Sequence, residues 1–141
     1  MTLEPIAIQA IVLDTNIVLD VFVFNDLAAE PLRQALAAQQ LDWLATEPMR
    51  NELARVLGYS NIAARLAFYR LAAADVLAKF DGHAHLVDAA PKASVTCSDA
   101  DDQKFIDLAV EHRALLLSKD NAVLSMKKRL LAQGIRVQAA I

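Results

Sequence analysis

The sequence predicts an α/β domain built on a mostly parallel sheet. Two short runs, residues 11–13 (I-V-L) and 115–117 (L-L-L), are apolar at every position, as expected of strands that are covered on both faces. Both runs stop at polar residues, Asp14 and Ser118. The segments between them carry apolar residues at helical spacing, and strands that alternate with helices indicate a parallel sheet.

The middle of the chain is predicted to hold one further strand and a series of helices. Residues 41–45 are a weaker strand candidate. Thr46, Pro48 and Gly58 are typical of the start and the stop of the helix that follows, with Thr46 as its N-cap. A long region rich in alanine and leucine, from Ile62 to Phe80, predicts one helix or two.

The last third of the chain repeats this alternation. Leu86-Val87 is a poor strand candidate, and a helix through Phe105 is expected after the acidic stretch S-D-A-D-D at 98–102. A final helix is predicted to start at Asp120 or Asn121 and to end at Gly134, before a weak strand at residues 135–137. The chain of 141 residues fits one domain, so we expect a single domain over 1–141 with a core from about 11 to 137.

Composition limits the classes of protein that this chain can belong to. Hydrophobic residues make up 56% of the sequence and charged residues 22%, which is typical of globular proteins. The apolar runs are far shorter than the ~20 residues that a membrane span needs, and the start of the chain carries Glu4 and no basic segment, which argues against a secretory signal. Cys97 is the only cysteine, which fits a reducing cytoplasm. The net charge of −3 argues against a general nucleic-acid coat.

Four acidic residues from distant parts of the chain are expected to converge. Asp14 and Asp120 each follow an apolar strand, and the carboxyl ends of parallel strands meet at the same edge of a sheet, where ligands bind. Asp102 starts the helix that leads into the second of these strands, and Glu52 lies at the border of the apolar face of its helix. Hard divalent cations such as Mg²⁺ and Mn²⁺ are the usual partners of clustered carboxylates. The pattern therefore suggests metal-assisted hydrolysis of a phosphoester.

Each of these acids also has a simpler interpretation. Asp14 and Asp120 could each cap a helix, and Glu52 could pair with Arg50 or Arg55. The acidic stretch before Phe105 could be no more than a helix start favoured by the helix dipole. Taken one at a time, these signals are weak, and only their order and placement make the case for a site.

Four segments of the chain resemble the PIN-domain family, in the family's order and over about residues 11–137. The segments are I-V-L-D-T-N-I-V-L, E-P-M-R-N-E-L-A-R-V-L, D-A-D-D-Q-K-F-I-D-L-A and L-L-L-S-K-D-N-A-V-L. The match is closest to the toxin components of bacterial toxin–antitoxin pairs. The resemblance implies a PIN-like three-layer α/β/α sandwich with a central, mostly parallel sheet, and a Mg²⁺- or Mn²⁺-dependent endoribonuclease, a hydrolase of RNA phosphodiesters.

The resemblance also assigns roles to particular residues. It implies that Asp14, Glu52, Asp102 and Asp120 are the catalytic acids and the metal ligands, although Glu47 could compete with Glu52. It implies that Asn16 and Ser118 hydrogen-bond these acids as a second shell, and that Asp99 supports them. As partners it implies an RNA substrate and a cognate antitoxin protein; the short apolar runs already predict no membrane partner.

Other polar residues carry weaker expectations. Arg50, Arg55, Lys119 and Lys127 are candidates for contact with RNA, the last as part of a Lys-Lys-Arg run that could equally stabilise a helix C-terminal half. His83 and His85 form a weak metal motif, for which a solvated loop is the better interpretation.

Two alternative functions stay open at the level of the sequence. One is a phosphotransfer domain in which a strand-end aspartate is phosphorylated and Lys119 neutralises the phosphate. The other is a catalytically weak scaffold that binds RNA or a partner protein. The apolar run at residues 22–24 belongs either to the core or to an interface with an antitoxin or a second copy.

Overall fold

The structure is a computed structural model that describes residues 8–141. Within this range, five strands form one sheet in the order β3-β2-β1-β4-β5, and every neighbouring pair is parallel. The strands are β1 (Gln9–Leu13), β2 (Leu41–Ala45), β3 (Ala84–Leu86), β4 (Leu115–Leu117) and β5 (Val137–Gln138). The helices are α1 (Thr15–Phe22), α2 (Glu30–Ala37), α3 (Glu47–Leu57), α4 (Ser60–Phe68), α5 (Ala73–His83), α6 (Gln103–His112), α7 (Asn121–Leu124) and α8 (Lys127–Ala132).

The helices cover both faces of the sheet. Helices α1 to α5 connect β1 to β2 and β2 to β3, stepping towards one edge, whereas α6 leads from β3 past β1 and β2 to β4. Because crossovers between parallel strands are right-handed, a reversal of direction places the later helices on the opposite face. Helix α6 packs on β1 and β4, and α8 packs on β5. The predicted three-layer α/β/α fold is confirmed.

The core lies on the two central strands. Ile11 and Val12 of β1 and Leu116 and Leu117 of β4 are completely buried, as expected of strands with helices on both faces. On the α1–α5 side, Trp43 of β2 meets the ring of Phe80 edge-on at 5.0 Å between centroids. Aromatic pairs in this geometry contribute beyond the area they bury.

The apolar run at residues 22–24 belongs to this core. Val23 is buried, and Phe22 and Phe24 are partly buried against the core residues. Of the two interpretations of this run, packing is the one that the structure supports.

Most predicted elements are present; the structure decides between the two alternatives for the region from Ile62 to Phe80 and corrects two other predictions. The region from Ile62 to Phe80 holds two helices, α4 and α5, separated by a turn in which Arg70 has a positive φ of 56°. The final helix is broken at residues 125–126 into α7 and α8. The prediction that His83 and His85 lie in a loop is wrong, because His83 ends α5 and His85 lies in β3, although both side chains are exposed.

The reversal of strand order creates a crevice at the centre of the sheet. Strand β1 is followed by a helix on one face, and its neighbour β4 is followed by a helix on the other. Open α/β sheets bind ligands at this switch point, beyond the carboxyl ends of the strands. The two strand ends are held together by the hydrogen bond from the Asp14 backbone N–H to the Leu117 carbonyl, at 3.0 Å. No helix in residues 8–141 is long and apolar enough to span a bilayer.

Candidate active site

Asp14 lies directly beyond β1 and is buried. Its Oδ2 accepts a hydrogen bond of 2.6 Å from the Ser118 hydroxyl, which lies beyond β4 and is completely buried. Burial raises the pKa of the Asp14 carboxyl, the hydrogen bond from Ser118 lowers it in part, and the charges of Asp120 and Glu52 raise it further. Asp14 occupies the N-cap position of α1, but the structure has no side-chain capping hydrogen bond there. The interpretation of Asp14 as a simple helix cap is therefore wrong.

Asp120 does act as a helix cap, and it uses one of its two carboxylate oxygens for this role. Its Oδ1 accepts a hydrogen bond of 2.9 Å from the Ala122 backbone N–H in the first turn of α7. Its own backbone N–H donates to the Ser118 hydroxyl oxygen at 3.0 Å. One serine side chain thus donates to Asp14 and accepts from Asp120, which fixes the two strand-end acids relative to each other.

Asp102 lies at the end of a short 3-10 helix, Ala100–Asp102, directly before α6. Its side chain is buried, and its Oδ2 has no hydrogen-bond partner among the described residues. Burial raises the pKa of Asp102 to about 7, with the negative charges of Asp14 and Asp120 as the next causes. An orphaned carboxylate oxygen inside the fold is costly, so its position calls for a partner.

The carboxylates of Asp14, Asp102 and Asp120 lie together. One oxygen from each can be chosen so that all three lie within 4.8 Å of one another, and they form the group in residues 8–141 that could hold a metal ion. We call Asp14, Asp102 and Asp120 the aspartate trio. Each member comes from a different part of the sequence. The shared position therefore results from the fold and not from local spacing.

Glu52 lies beside the aspartate trio but outside it. It projects from α3, where it accepts hydrogen bonds from the Thr15 hydroxyl and from Lys104 Nζ, the latter at 2.9 Å. The predicted pairing of Glu52 with Arg50 or Arg55 is wrong, since Lys104 is its ion-pair partner. Glu47, the competing glutamate, is exposed in the first turn of α3.

The residues predicted to support the acids by hydrogen bonds differ in position. Ser118 forms hydrogen bonds with two members of the trio, Asp14 and Asp120. The side chain of Asn16, in contrast, is exposed and makes no hydrogen bond to the described residues. Asp99 accepts a hydrogen bond of 3.0 Å from the Asp101 backbone N–H, and its charge raises the pKa of Asp102.

Two residues near the site were not predicted from the sequence. Thr15 and Lys104 both contact Glu52, and neither has a signal of its own in the sequence. Lys104 follows Asp102 by two residues, so its place beside the acidic stretch was visible, but its partner on α3 is 52 positions away in the chain.

The four candidate RNA contacts also separate in the structure. Arg50 is bound through two hydrogen bonds, at 2.7 and 2.9 Å, to Asp81, and Lys119 forms an ion pair with Asp20. Arg55 and Lys127 are exposed and have no ion pair with a described residue. The pairing of Lys119 also weighs against a phosphotransfer site, which would need this ammonium group for the phosphate.

Comparison with known proteins identifies the family. The family model described as PIN domain matches residues 10–122. This chain belongs to the PIN-domain family. The matched segment contains all three members of the aspartate trio, together with Glu52 and Ser118.

The fold of this PIN domain is similar to that of a solved structure. A chain in the crystal structure of VapBC2 from Rickettsia felis, bound to a DNA fragment from their promoter, superposes with a TM-score of 0.63. The two are 12% identical, and the similarity covers 92% of this chain and 97% of the other. At this level of identity the likeness establishes the fold. No curated protein sequence matches this PIN domain.

Proposed function

We propose that this PIN domain is a Mg²⁺- or Mn²⁺-dependent endoribonuclease that hydrolyses RNA phosphodiesters. The observation that carries the proposal is the aspartate trio, in which three carboxylates from separate parts of the chain lie within 4.8 Å of one another in the crevice between β1 and β4.

The composition of the trio fits a hard divalent cation. All of its available ligand atoms are carboxylate oxygens, which Mg²⁺ and Mn²⁺ prefer, and the protein-facing side already carries hydrogen bonds from Ser118 and the Ala122 backbone. The buried Oδ2 of Asp102 has no hydrogen-bond partner among the described residues, and such an ion would coordinate it. We propose Asp14, Asp102 and Asp120 as the metal ligands and Glu52 as the fourth acid at the rim.

A bound divalent cation would orient the phosphodiester and lower the pKa of a coordinated water. The chain's own residues provide the fixed geometry that this chemistry requires. Ser118 holds Asp14 and the start of the Asp120 loop in one arrangement, while Lys104 and Thr15 hold Glu52. Preorganised groups of this kind cost little reorganisation during the reaction.

We further propose that the chain is the toxin of a toxin–antitoxin pair and acts in the cytoplasm. The fold similarity to a chain of VapBC2, together with the family, supports a protein partner of the antitoxin kind. Such a partner would control access to the trio, because an uncontrolled ribonuclease damages its own cell.

The test is the removal of single ligands. Asp14→Asn and Asp120→Asn are each expected to abolish Mn²⁺ binding by calorimetry and to lower the cleavage rate of a fluorogenic RNA by about 100-fold or more, on the scale of losing one major electrostatic group. The matched control is Asp88→Asn, since Asp88 is an exposed aspartate without a described ion pair. The control should stay within about twofold of the wild-type rate, as surface substitutions usually do.

Two results would argue against the proposal. A wild-type chain that binds no Mn²⁺ would favour the scaffold function, in which the acids do not serve catalysis. Cleavage that persists unchanged in Asp14→Asn would show that the measured ribonuclease does not depend on the trio.

A further inference from the structure

Three cations follow the side of the sheet formed by β4 and β5. Lys127 lies at the start of α8, Arg136 directly before β5, and Arg113 at the end of α6. They line two adjoining cavities that share Arg136 and Gln138. The first, of about 220 Å³, is bounded by Lys127 and Arg136, and the second, of about 230 Å³, by Arg136 and Arg113. We call Lys127, Arg136 and Arg113 the basic strip.

The basic strip differs from three other cations of the chain. Lys104, Lys119 and Arg50 each have a carboxylate partner, so their charge is already balanced within the chain. The side chains of the strip make no ion pair or hydrogen bond with any residue from 8 to 141. Like charges that share neighbouring cavities repel one another, and an anion offsets that repulsion.

The second cavity places Arg113 against a glycine. Arg113 ends α6 in the left-handed region, at φ 51°, and Gly134 has a φ of 78°. A Cβ atom at position 134 would lie 2.9 Å from the Arg113 guanidinium, so the guanidinium packs against the glycine in a space that a side chain would close. Gly134 is therefore favoured by its backbone conformation, and it leaves the space in which the Arg113 guanidinium lies.

Arg113 and Arg136 precede the amino ends of β4 and β5, whereas Lys127 starts α8, the helix that packs on β5. Gln138 pairs with Leu117, the residue before Ser118, whereas Gln9 and Leu115 lie towards the amino ends of their strands. The strand β4 between these ends has three residues, which span roughly 10 Å at the usual rise per residue. Two cavities in a row over this length fit a chain of phosphates better than one small anion.

We propose that the basic strip binds the phosphate backbone of single-stranded RNA. This inference depends on the proposed function for the identity of the ligand. It explains how a chain of net charge −3 can hold a polyanion. Three cations that have no ion-pair partner among the described residues line two adjoining cavities there, so a local positive charge is available although the net charge is negative.

The experiment measures RNA affinity separately from cleavage. Fluorescence anisotropy of a 5′-labelled single-stranded RNA is recorded in EDTA over a series of salt concentrations. Comparison is made between the wild-type chain and Arg113→Gln/Arg136→Gln. The matched control is Arg70→Gln/Lys79→Gln, which removes two exposed cations far from the strip in sequence that also lack a described ion pair.

Loss of two phosphate contacts should lower the slope of log K against log salt by about 1.4, since each contact to a single strand contributes about 0.7. Affinity in low salt should fall by about tenfold or more in the strip variant and change less than about twofold in the control. Adding Lys127→Gln to the double variant should lower the slope again. Mn²⁺ binding by calorimetry should stay at the wild-type value in every strip variant, because no strip residue contacts the trio.

An unchanged salt slope in the strip variant would overturn the inference, and so would an equal loss in the control variant. Binding of duplex DNA that depends on the strip, with RNA binding unaffected, would overturn the choice of RNA. These outcomes are distinct from a failure of the proposed function, which would appear as absent Mn²⁺ binding whatever the salt slope.

Discussion

Glu52 and the aspartate trio lie at the same edge of the sheet, but their negative charges are balanced in different ways. Glu52 has an ammonium group, from Lys104, and a hydroxyl, from Thr15. The trio accepts hydrogen bonds from the Ser118 hydroxyl and from backbone N–H groups, and none of the cations in residues 8–141 forms an ion pair with it. Burial raises the pKa of Asp14 and Asp102. The chain thus neutralises Glu52 itself, and the contrast supports our proposal that the trio binds a cation from solution.

The largest expected effect is the stabilisation of the fold by metal. Mn²⁺ at 100 times its dissociation constant should raise the free energy of unfolding by about 2.7 kcal/mol, because the ion binds the folded trio and not the unfolded chain. The measurement is the urea midpoint of the wild-type chain with and without Mn²⁺. Asp14→Asn should lose this response and Asp88→Asn should keep it. Equal stabilisation of all three chains would mean that Mn²⁺ binds elsewhere.

The second effect is a gain of stability on removing one charge from the metal-free trio. The pKa of Asp102 is raised from its ordinary value of 3.8 to about 7, so the folded state holds this proton more tightly than the unfolded state does. At low pH the carboxyl is protonated in both states, so its ionisation does not change the free energy of unfolding. As the pH rises from 3.8 to about 7, the unfolded state loses this proton first and the free energy of unfolding falls. This loss of stability is complete above about 7.

Asp102→Asn should thus stabilise the metal-free chain more at pH 8 than at pH 4, by about 1–2 kcal/mol once screening of the charge by solvent is allowed for. Urea unfolding in EDTA at the two pH values provides the measurement. A destabilised variant at pH 8 would show that the charge of Asp102 is balanced by the chain itself. It would remove the contrast with Glu52.

The smallest effect concerns Glu52, whose negative charge is balanced by Lys104. Lys104→Met removes the cation from a mostly buried glutamate, so the free energy of unfolding should fall by about 1 kcal/mol. When Lys104→Met is made in the Glu52→Gln variant, the free energy of unfolding should fall by less, because the negative charge that Lys104 balances is already absent. If the two losses simply add, the Lys104–Glu52 contact contributes no coupling energy.

The sequence was informative where chemistry and position coincide. Asp14 and Asp120 follow the last residues of apolar strands, and in a parallel sheet those ends share an edge, so their convergence could be predicted from order alone. Asp102 joins them because its helix, α6, packs on both central strands. Helix α2 and the break between α7 and α8 had no comparably clear signal, because short amphipathic segments with few stop residues have ambiguous limits.

The sequence by itself determined the alternation of strands and helices, the edge of the sheet that carries the acids, and the motifs of the PIN-domain family. The tertiary structure alone decided which charges meet a partner. Lys104 reaches Glu52 across 52 positions and Ser118 reaches Asp14 across 104, and no local pattern encodes contacts at such separations. The physical reason is that periodicity fixes the direction of a side chain from its own element, whereas its neighbours depend on how distant elements pack.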